Sequence, residues 1–317
     1  MLSLTTTSMI KMVMASALGL FSLLAIKAQE EGFKEVQLTH TSSDNRYASY
    51  NKNGTKILFE SNRDGKWQIY TMDINGEHQR KLFRSASNDR RPSWHPYRDM
   101  VIFDSDKDGG TELFTYSFET NSVNKIKVPL NGDKTFARFA PNGVEIVFCH
   151  KKNEEVTDLY ICSLKGKRLR KIVSNKHINL YPHFSPRGDN VLYFSNRNTQ
   201  GESNIIYSYN IITEDRDRYT YFKDHSEYPN WSNVRGKQIV YSAQVGDDMK
   251  QPEIYTMRND GRYKTRITFN DTEDILPSWS PNDINLLITG YRNGHYQICK
   301  ILLKEPLDPN NKYKVGE

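Results

Sequence analysis

The chain has 317 residues, of which 37% are hydrophobic and 26% are charged, and its formal net charge is +6. An aromatic content of 12% excludes an intrinsically disordered chain, and 3 cysteines exclude a disulfide scaffold. The basic excess is too small and too dispersed to indicate a nucleic-acid partner. By length alone, about two domains are expected.

The N-terminus has the pattern of a secretory signal. Lys11 precedes an uncharged stretch, Met12–Ile26, which is shorter than the roughly 20 residues of a membrane span. We predict a signal peptide over residues 1–28, cut after Ala28, and a periplasmic or secreted protein with no stable membrane span after cleavage. An uncleaved N-terminal anchor is the alternative.

An internal repeat runs through the rest of the chain. Six short motifs each end in an aromatic residue, and successive aromatic residues are 44 to 48 positions apart. Repeats of this length indicate propellers or solenoids. The six anchor residues are Tyr50, Trp94, Phe139, Phe184, Trp231 and Trp279.

The pattern predicts four short strands in each unit. In the first unit the anchor is followed by the apolar run Ile57–Phe59, then by Ile69–Tyr70, and then by Arg80–Phe83. Short runs of β-branched and aromatic residues predict strands. We therefore predict an all-β fold, a six-bladed β-propeller of four-stranded antiparallel blades. Later fourth strands are predicted at Asn124–Val128, Leu169–Val173, Arg218–Phe222 and Thr265–Phe269.

The chain ends predict how the ring closes. No fourth strand follows Leu303, whereas Lys34–Thr39 resembles the fourth-strand segment Lys264–Thr268. We predict that this N-terminal strand completes the last blade, because closure protects sheet edges. The predicted propeller covers residues 29–305, and residues 306–317 form a tail.

Four motifs carry a family resemblance. Trp279–Asn282, Phe184–Gly188, Phe59–Gly65 and Ile69–Asp73 resemble the TolB-type β-propeller repeat, a WD-like repeat of bacterial envelope proteins. The resemblance covers residues 33–303 and implies the same propeller fold. The N-terminal α/β domain of TolB is expected to be absent. Similar propellers also occur beside peptidase domains and in oligogalacturonate lyases, which use a His-rich metal site.

The loop between the second and third strands varies most in length, so we predict binding on the face that it shares with the loops entering each first strand. Aromatic residues mixed with charges favour a protein or peptide partner and also suit oligosaccharide. For each candidate residue on this face, the alternative role is packing between blades. The candidate ligand-binding residues are Arg46, Tyr47, Trp67, Arg90, Arg91, Phe136, Tyr181, His183, Glu227, Tyr228, Asp274 and His295.

No motif for catalysis stands out, and we expect no catalytic residue, metal or cofactor. Asp104–Gly109 resembles the start of a calcium loop, but Thr115 replaces the usual bidentate glutamate. A His-rich metal site is the other possibility, although no two histidines have a short ligand spacing. Cys149 and Cys162 could form a disulfide across a hairpin or remain buried thiols. The histidines in question are His150, His177, His183, His225 and His295.

Two hypotheses follow for function. The first is a secreted or periplasmic, non-enzymatic binding module whose propeller face recognises a protein or peptide in the cell envelope. The second is a carbohydrate-active enzyme, similar to the oligogalacturonate lyases, or a glycan-binding propeller that uses the central channel.

Overall fold

The computed structural model describes residues 33–199, 201–221, 223–234, 236–246, 251–303 and 307. The predicted signal peptide, and all of the predicted tail except Leu307, lie outside these residues. The described chain forms six four-stranded antiparallel sheets and contains no helix, so the predicted propeller is confirmed. Within those ranges, no helix has the length and apolar character needed to cross a membrane.

Successive strands build successive blades, from the innermost strand outward. Blades one to three comprise β2 (Asn45–Tyr50), β3 (Lys56–Ser61), β4 (Gln68–Asp73) and β5 (Arg80–Lys81); β6 (Asp89–Trp94), β7 (Met100–Ser105), β8 (Glu112–Ser117) and β9 (Ser122–Lys125); and β10 (Lys134–Phe139), β11 (Glu145–Lys151), β12 (Thr157–Ser163) and β13 (Arg170–Val173). Blades four to six comprise β14 (Asn179–Phe184), β15 (Asn190–Ser195), β16 (Ile205–Asn210) and β17 (Arg216–Arg218); β18 (Asp224–Trp231), β19 (Gln238–Val245), β20 (Glu253–Arg258) and β21 (Thr265–Arg266); and β22 (Asp274–Trp279), β23 (Asn285–Arg292) and β24 (His295–Leu303), completed by β1 (Phe33–Gln37).

The N-terminal strand closes the ring as predicted. β1 pairs antiparallel with β24, from Phe33 opposite Leu303 to Gln37 opposite Cys299. The strand starts and ends slightly earlier than the sequence indicated, and beyond it the Leu38 amide still donates to the Ile298 carbonyl at 2.8 Å. One blade therefore contains both ends of the propeller.

The outermost strands are shorter than predicted and, in blades two and four, lie earlier in the chain. Pairing begins directly after the turn from the third strand, with Ser117 opposite Ser122 in blade two. The apolar residues that we read as strand lie at its end or beyond it and enter the core, as Ile126 and Ile267 do at 2% exposure each. Hydrophobic periodicity thus marked the buried segment rather than the hydrogen-bonded one.

Apolar residues from facing sheets fill the space between blades. Val147 and Leu159 of blade three pack in one cluster with Val191 of blade four. Cys149, Cys162 and Cys299 are buried and unbridged, so the disulfide alternative is wrong. Burial raises the pKa of the Cys162 thiol to about 12, which keeps it protonated.

Arg292 ties the closing strand to the innermost strand of the same blade. Its Nε and Nη2 donate to Glu35 Oε1 and Oε2 at 3.0 and 2.8 Å. Nη2 also lies 2.7 Å from Oδ1 of Asp274, whose side chain is fully buried. Burial raises the pKa of Asp274 to about 6 even though Arg292 opposes the shift. The arginine is therefore the charge that this buried carboxylate depends on.

We predict that Arg292→Met lowers the free energy of unfolding by about 3–5 kcal/mol, because it leaves a buried carboxylate without its cation. Glu35→Gln breaks only the more exposed half of the same network and should cost less than about 1 kcal/mol. Urea unfolding at neutral pH measures both. Equal losses would contradict the assignment of Asp274 as the sensitive partner.

Candidate functional site

The two sets of loops that the sequence assigned to one face do lie together. The backbone amide of Asp44 lies just before the first strand of blade one. It donates to Oδ1 of Asn62, in the loop between the second and third strands, at 2.9 Å. The same bond recurs in blade two, from the Asn88 amide to Asp106 Oδ1 at 2.9 Å. We call this the loop face.

A bulge interrupts every innermost strand at the same position. In β2 the pairing register shifts between Arg46 and Ser49, and Tyr47 between them has a φ of 57°. A positive φ is uncommon for non-glycine residues, and bulges re-aim side chains. Six residues share this conformation, with φ from 51° to 57°: Tyr47, Arg91, Phe136, Tyr181, Tyr228 and Leu276.

These six residues, which we call the plug, meet around the propeller axis. The ring centroids of Tyr47 and Tyr181 are 6.5 Å apart, although their blades, one and four, face each other across the ring. Phe136 lies 6.2 Å from each of them. Tyr181 and Leu276 are only 4% and 3% exposed. The side chains therefore close the central channel at this level.

Buried carboxylates hold two of the bulges. Glu60 accepts the Arg91 amide at 2.6 Å, and Asp104 accepts the Phe136 amide at 3.3 Å. Asp104 also receives both arms of the Arg91 guanidinium, at 3.0 and 2.6 Å. Burial raises the pKa of Glu60, while the charges of Arg90 and Arg91 oppose the rise. Arg91, a predicted binding residue, is thus held inside the plug.

Three further predicted residues lie apart from the loop-face surface described below. His183 follows the plug position in β14, and its Nδ1 is buried without a hydrogen-bond partner among the described residues. Glu227 pairs with His225 at 3.2 Å. Asp274 belongs to the Arg292 network. The structure therefore divides the twelve sequence candidates between the plug, other polar contacts and one surface.

That surface is a row of stacked side chains, which we call the arginine–aromatic stripe. The Arg46 guanidinium lies 4.3 Å from the centre of the Trp67 ring, and Arg90 lies 5.0 Å from the same ring. Arg46 also lies 5.2 Å from the ring of Tyr296, which contacts Tyr291 at 5.3 Å. The stripe runs from blade six through blade one to blade two.

Carboxylates on the loop face fix the stripe. Asp44 Oδ1 accepts the Tyr296 amide at 3.0 Å, and the Tyr296 hydroxyl donates to Glu273. Asp44 also lies 3.8 Å from Arg46 Nη2 and from Nδ1 of His295, a predicted residue at the edge of the stripe. Tyr291 is 39% exposed, so solvent reaches the stripe at that end.

Sequence reasoning placed Arg46, Trp67, Arg90 and His295 on this face but missed Tyr291 and Tyr296. A signal was present in the Asn293-Gly294 pair between them. Both residues have a positive φ, 53° and 88°, as a type I′ hairpin turn requires. The turn extends β23 and β24 until Arg292 pairs with His295, which carries the tyrosines onto the loop face.

The residues proposed for metal binding have other contacts. Asp104 faces Arg91, whereas Asp108 bonds Lys125 at 2.8 Å, so the calcium-like spacing does not converge. His150 contacts the Asn131 carbonyl at 2.6 Å. Among the described residues, no group of three or more His, Cys, Asp or Glu could hold a metal ion.

Comparisons agree with the fold. A family model for the TolB beta propeller domain matches residues 49–157 and 128–250. TolB from Acinetobacter baumannii is similar, with a TM-score of 0.60 and 17% identity over 84% of this chain, which spans 65% of that protein. A protein from Agrobacterium tumefaciens described as a TolB has a TM-score of 0.65, with 12% identity over 86% of this chain and 98% of its own. An oligogalacturonate lyase in complex with manganese has a TM-score of 0.60, with 14% identity over 86% of this chain and 93% of its own.

We predict that His183 makes stability fall at acid pH. Burial and the nearby charge of Arg138 lower the pKa of His183 to about 3, whereas an unfolded histidine titrates near 6.5. The unfolded state therefore binds the extra proton, and stability present above pH ~6.5 decreases below it, by at most about 2 kcal/mol at pH 5. His183→Gln should remove this decrease when urea unfolding is compared at pH 7 and pH 5.

His225→Gln is the matched control with the opposite sign. Glu227 raises the pKa of His225, so its contribution is present at low pH and is lost as pH rises through the folded pKa. Relative to the wild type, His225→Gln should therefore lose more stability at pH 5 than at pH 7. The same pH dependence in both variants would contradict the prediction for His183.

Proposed function

The chain belongs to the TolB β-propeller family, and from that premise we propose that it is a non-enzymatic binding module of the cell envelope. Its loop face would recognise a protein or peptide partner through the arginine–aromatic stripe. A periplasmic or secreted location is part of the same proposal. The proposed location rests on the signal-like residues 1–28 and on the family. The proposal keeps the predicted boundaries, with the propeller at 29–305 and the tail at 306–317.

The observation that carries the proposal is the contact of two guanidinium groups with the Trp67 ring. Tryptophan, tyrosine and arginine dominate the binding energy of protein interfaces. Here Asp44 lies near Arg46, and Glu60 lies 3.5 Å from Arg90, so both cations are held over the ring before a partner arrives. A surface already held in place loses little side-chain entropy on binding, which favours affinity.

The shape of the site favours a macromolecular partner. The stripe crosses three blades as an open surface, whereas the channel that a sugar-cleaving enzyme would use is occupied by the plug. Identity to the oligogalacturonate lyase is only 14%, so this similarity supports the fold alone. Glycan recognition on the stripe remains the second candidate, because stacked aromatic residues also suit sugar rings.

We predict that Trp67→Ala weakens partner binding by at least about 2 kcal/mol, roughly 30-fold, because it removes the ring on which both arginines rest. Arg90→Gln should weaken it in the same direction. Immobilised wild-type protein would first retain partners from an envelope extract of the source organism. The affinity of each purified partner is then measured for every variant by surface plasmon resonance.

Tyr97→Ala is the matched control. Tyr97 is 63% exposed, lies in the loop between the first and second strands, and also carries a cation, Lys52 Nζ at 4.9 Å. It therefore offers a cation–aromatic contact on the opposite face. Equal losses for Tyr97→Ala and Trp67→Ala would contradict the assignment of the face, and release of the partner by oligosaccharide would favour the glycan candidate.

A further inference from the structure

A second site lies on the loop face, across the ring from the arginine–aromatic stripe, in a cleft between blades three and four. It is formed where the segment after β13 meets the loop after β15 and the start of β17. None of the described residues that line it is acidic, and three of them can carry positive charge. The lining residues are Val173, Ser174, Asn175, His177, Arg197, Asn198 and Arg216.

The two arginines of the cleft differ from the other arginines discussed above. Arg91 and Arg292 each bind a buried carboxylate. Arg197 and Arg216 instead lie over tyrosine rings, at 5.9 Å from Tyr207 and 5.1 Å from Tyr209. Within the described part of the chain, no ion pair includes either guanidinium group. Both cations therefore retain donors for an external acceptor.

A buried hydroxyl group near the cleft is also without a partner. Tyr193 is fully buried, and its hydroxyl oxygen makes no hydrogen bond among the described residues. Its ring stacks at 5.8 Å on Tyr207, the ring beneath Arg197. The charges of Arg216 and Arg197 act on this hydroxyl and oppose the burial that raises its pKa to about 12. Tyr193 does not line the cleft, so its hydroxyl group supports only the polar character of the interior beneath the two arginines.

We propose that this cleft binds a compact oxyanion, a carboxylate or phosphate group on a small ligand, through Arg197 and Arg216. Guanidinium groups present paired donors that match the oxygens of such anions. Ser174, His177 and Asn198 supply further polar groups at the rim. The site is separate from the arginine–aromatic stripe, which lies on blades six, one and two.

The test titrates the full chain with inorganic phosphate and, in a separate arm, with acetate, by calorimetry. Arg197→Gln and Arg216→Gln should each weaken binding at least about tenfold, since each removes a charge-assisted hydrogen bond. Arg218→Gln is the matched control. Arg218 lies on the same strand, β17, but its guanidinium lies 4.6 Å from the Tyr221 ring, and it is not among the lining residues.

Tighter binding of phosphate would identify a phosphorylated ligand, and tighter binding of acetate a carboxylated one. Either result supports the site if Arg218→Gln and Trp67→Ala bind the anion as the wild type does. Absence of saturable binding in both arms would overturn the proposal. Equal weakening by Arg218→Gln would also overturn it, because the effect would then be general surface charge. Thermal unfolding of each variant confirms that it is folded.

Discussion

The pairing of β1 with β24 is the constraint on which the rest of the structure depends. Five blades are continuous in sequence, but the sixth exists only when the first strand of the propeller meets the last. Side chains reinforce this pairing, which we call the seam. Gln297 Oε1 accepts hydrogen bonds from the Thr39 hydroxyl at 2.8 Å and from the Asn45 side-chain Nδ2 at 3.1 Å. The arginine–aromatic stripe crosses the same seam, from Tyr296 to Arg46. The candidate binding surface is therefore assembled by closure of the ring.

The bulges explain why neighbouring residues in the sequence have different roles. In β2, Arg46 reaches the loop face, whereas Tyr47 turns to the axis because its backbone has a positive φ. The same change recurs in blade two, where Arg90 joins the stripe and Arg91 joins the plug. Strained backbone of this kind persists only where surrounding contacts determine it. Glu60 and Asp104 provide such contacts by accepting the amides of Arg91 and Phe136.

The fold could be predicted because its sequence repeat occurs six times. The period, the anchor residues and the missing last strand together define the blades and their closure. The site could be predicted only in part. Trp67 and Arg90 were found because the loops on one face follow from the topology. No sequence pattern marks a positive φ at Tyr181, so its position in the plug could not be predicted. Tyr296 was missed because the hairpin at Asn293-Gly294 lengthens two strands of a blade that otherwise follows the repeat.

The seam also links recognition to the order of synthesis. A ribosome makes β1 first and β24 last, so the opening strand has no partner until nearly all of the propeller has been made. Tyr296, which completes the stripe beside Arg46, belongs to that final strand. A chain cut short before β24 would retain Trp67 and both arginines but would lack the finished surface. A partner that requires the whole stripe would thereby distinguish completed molecules from fragments.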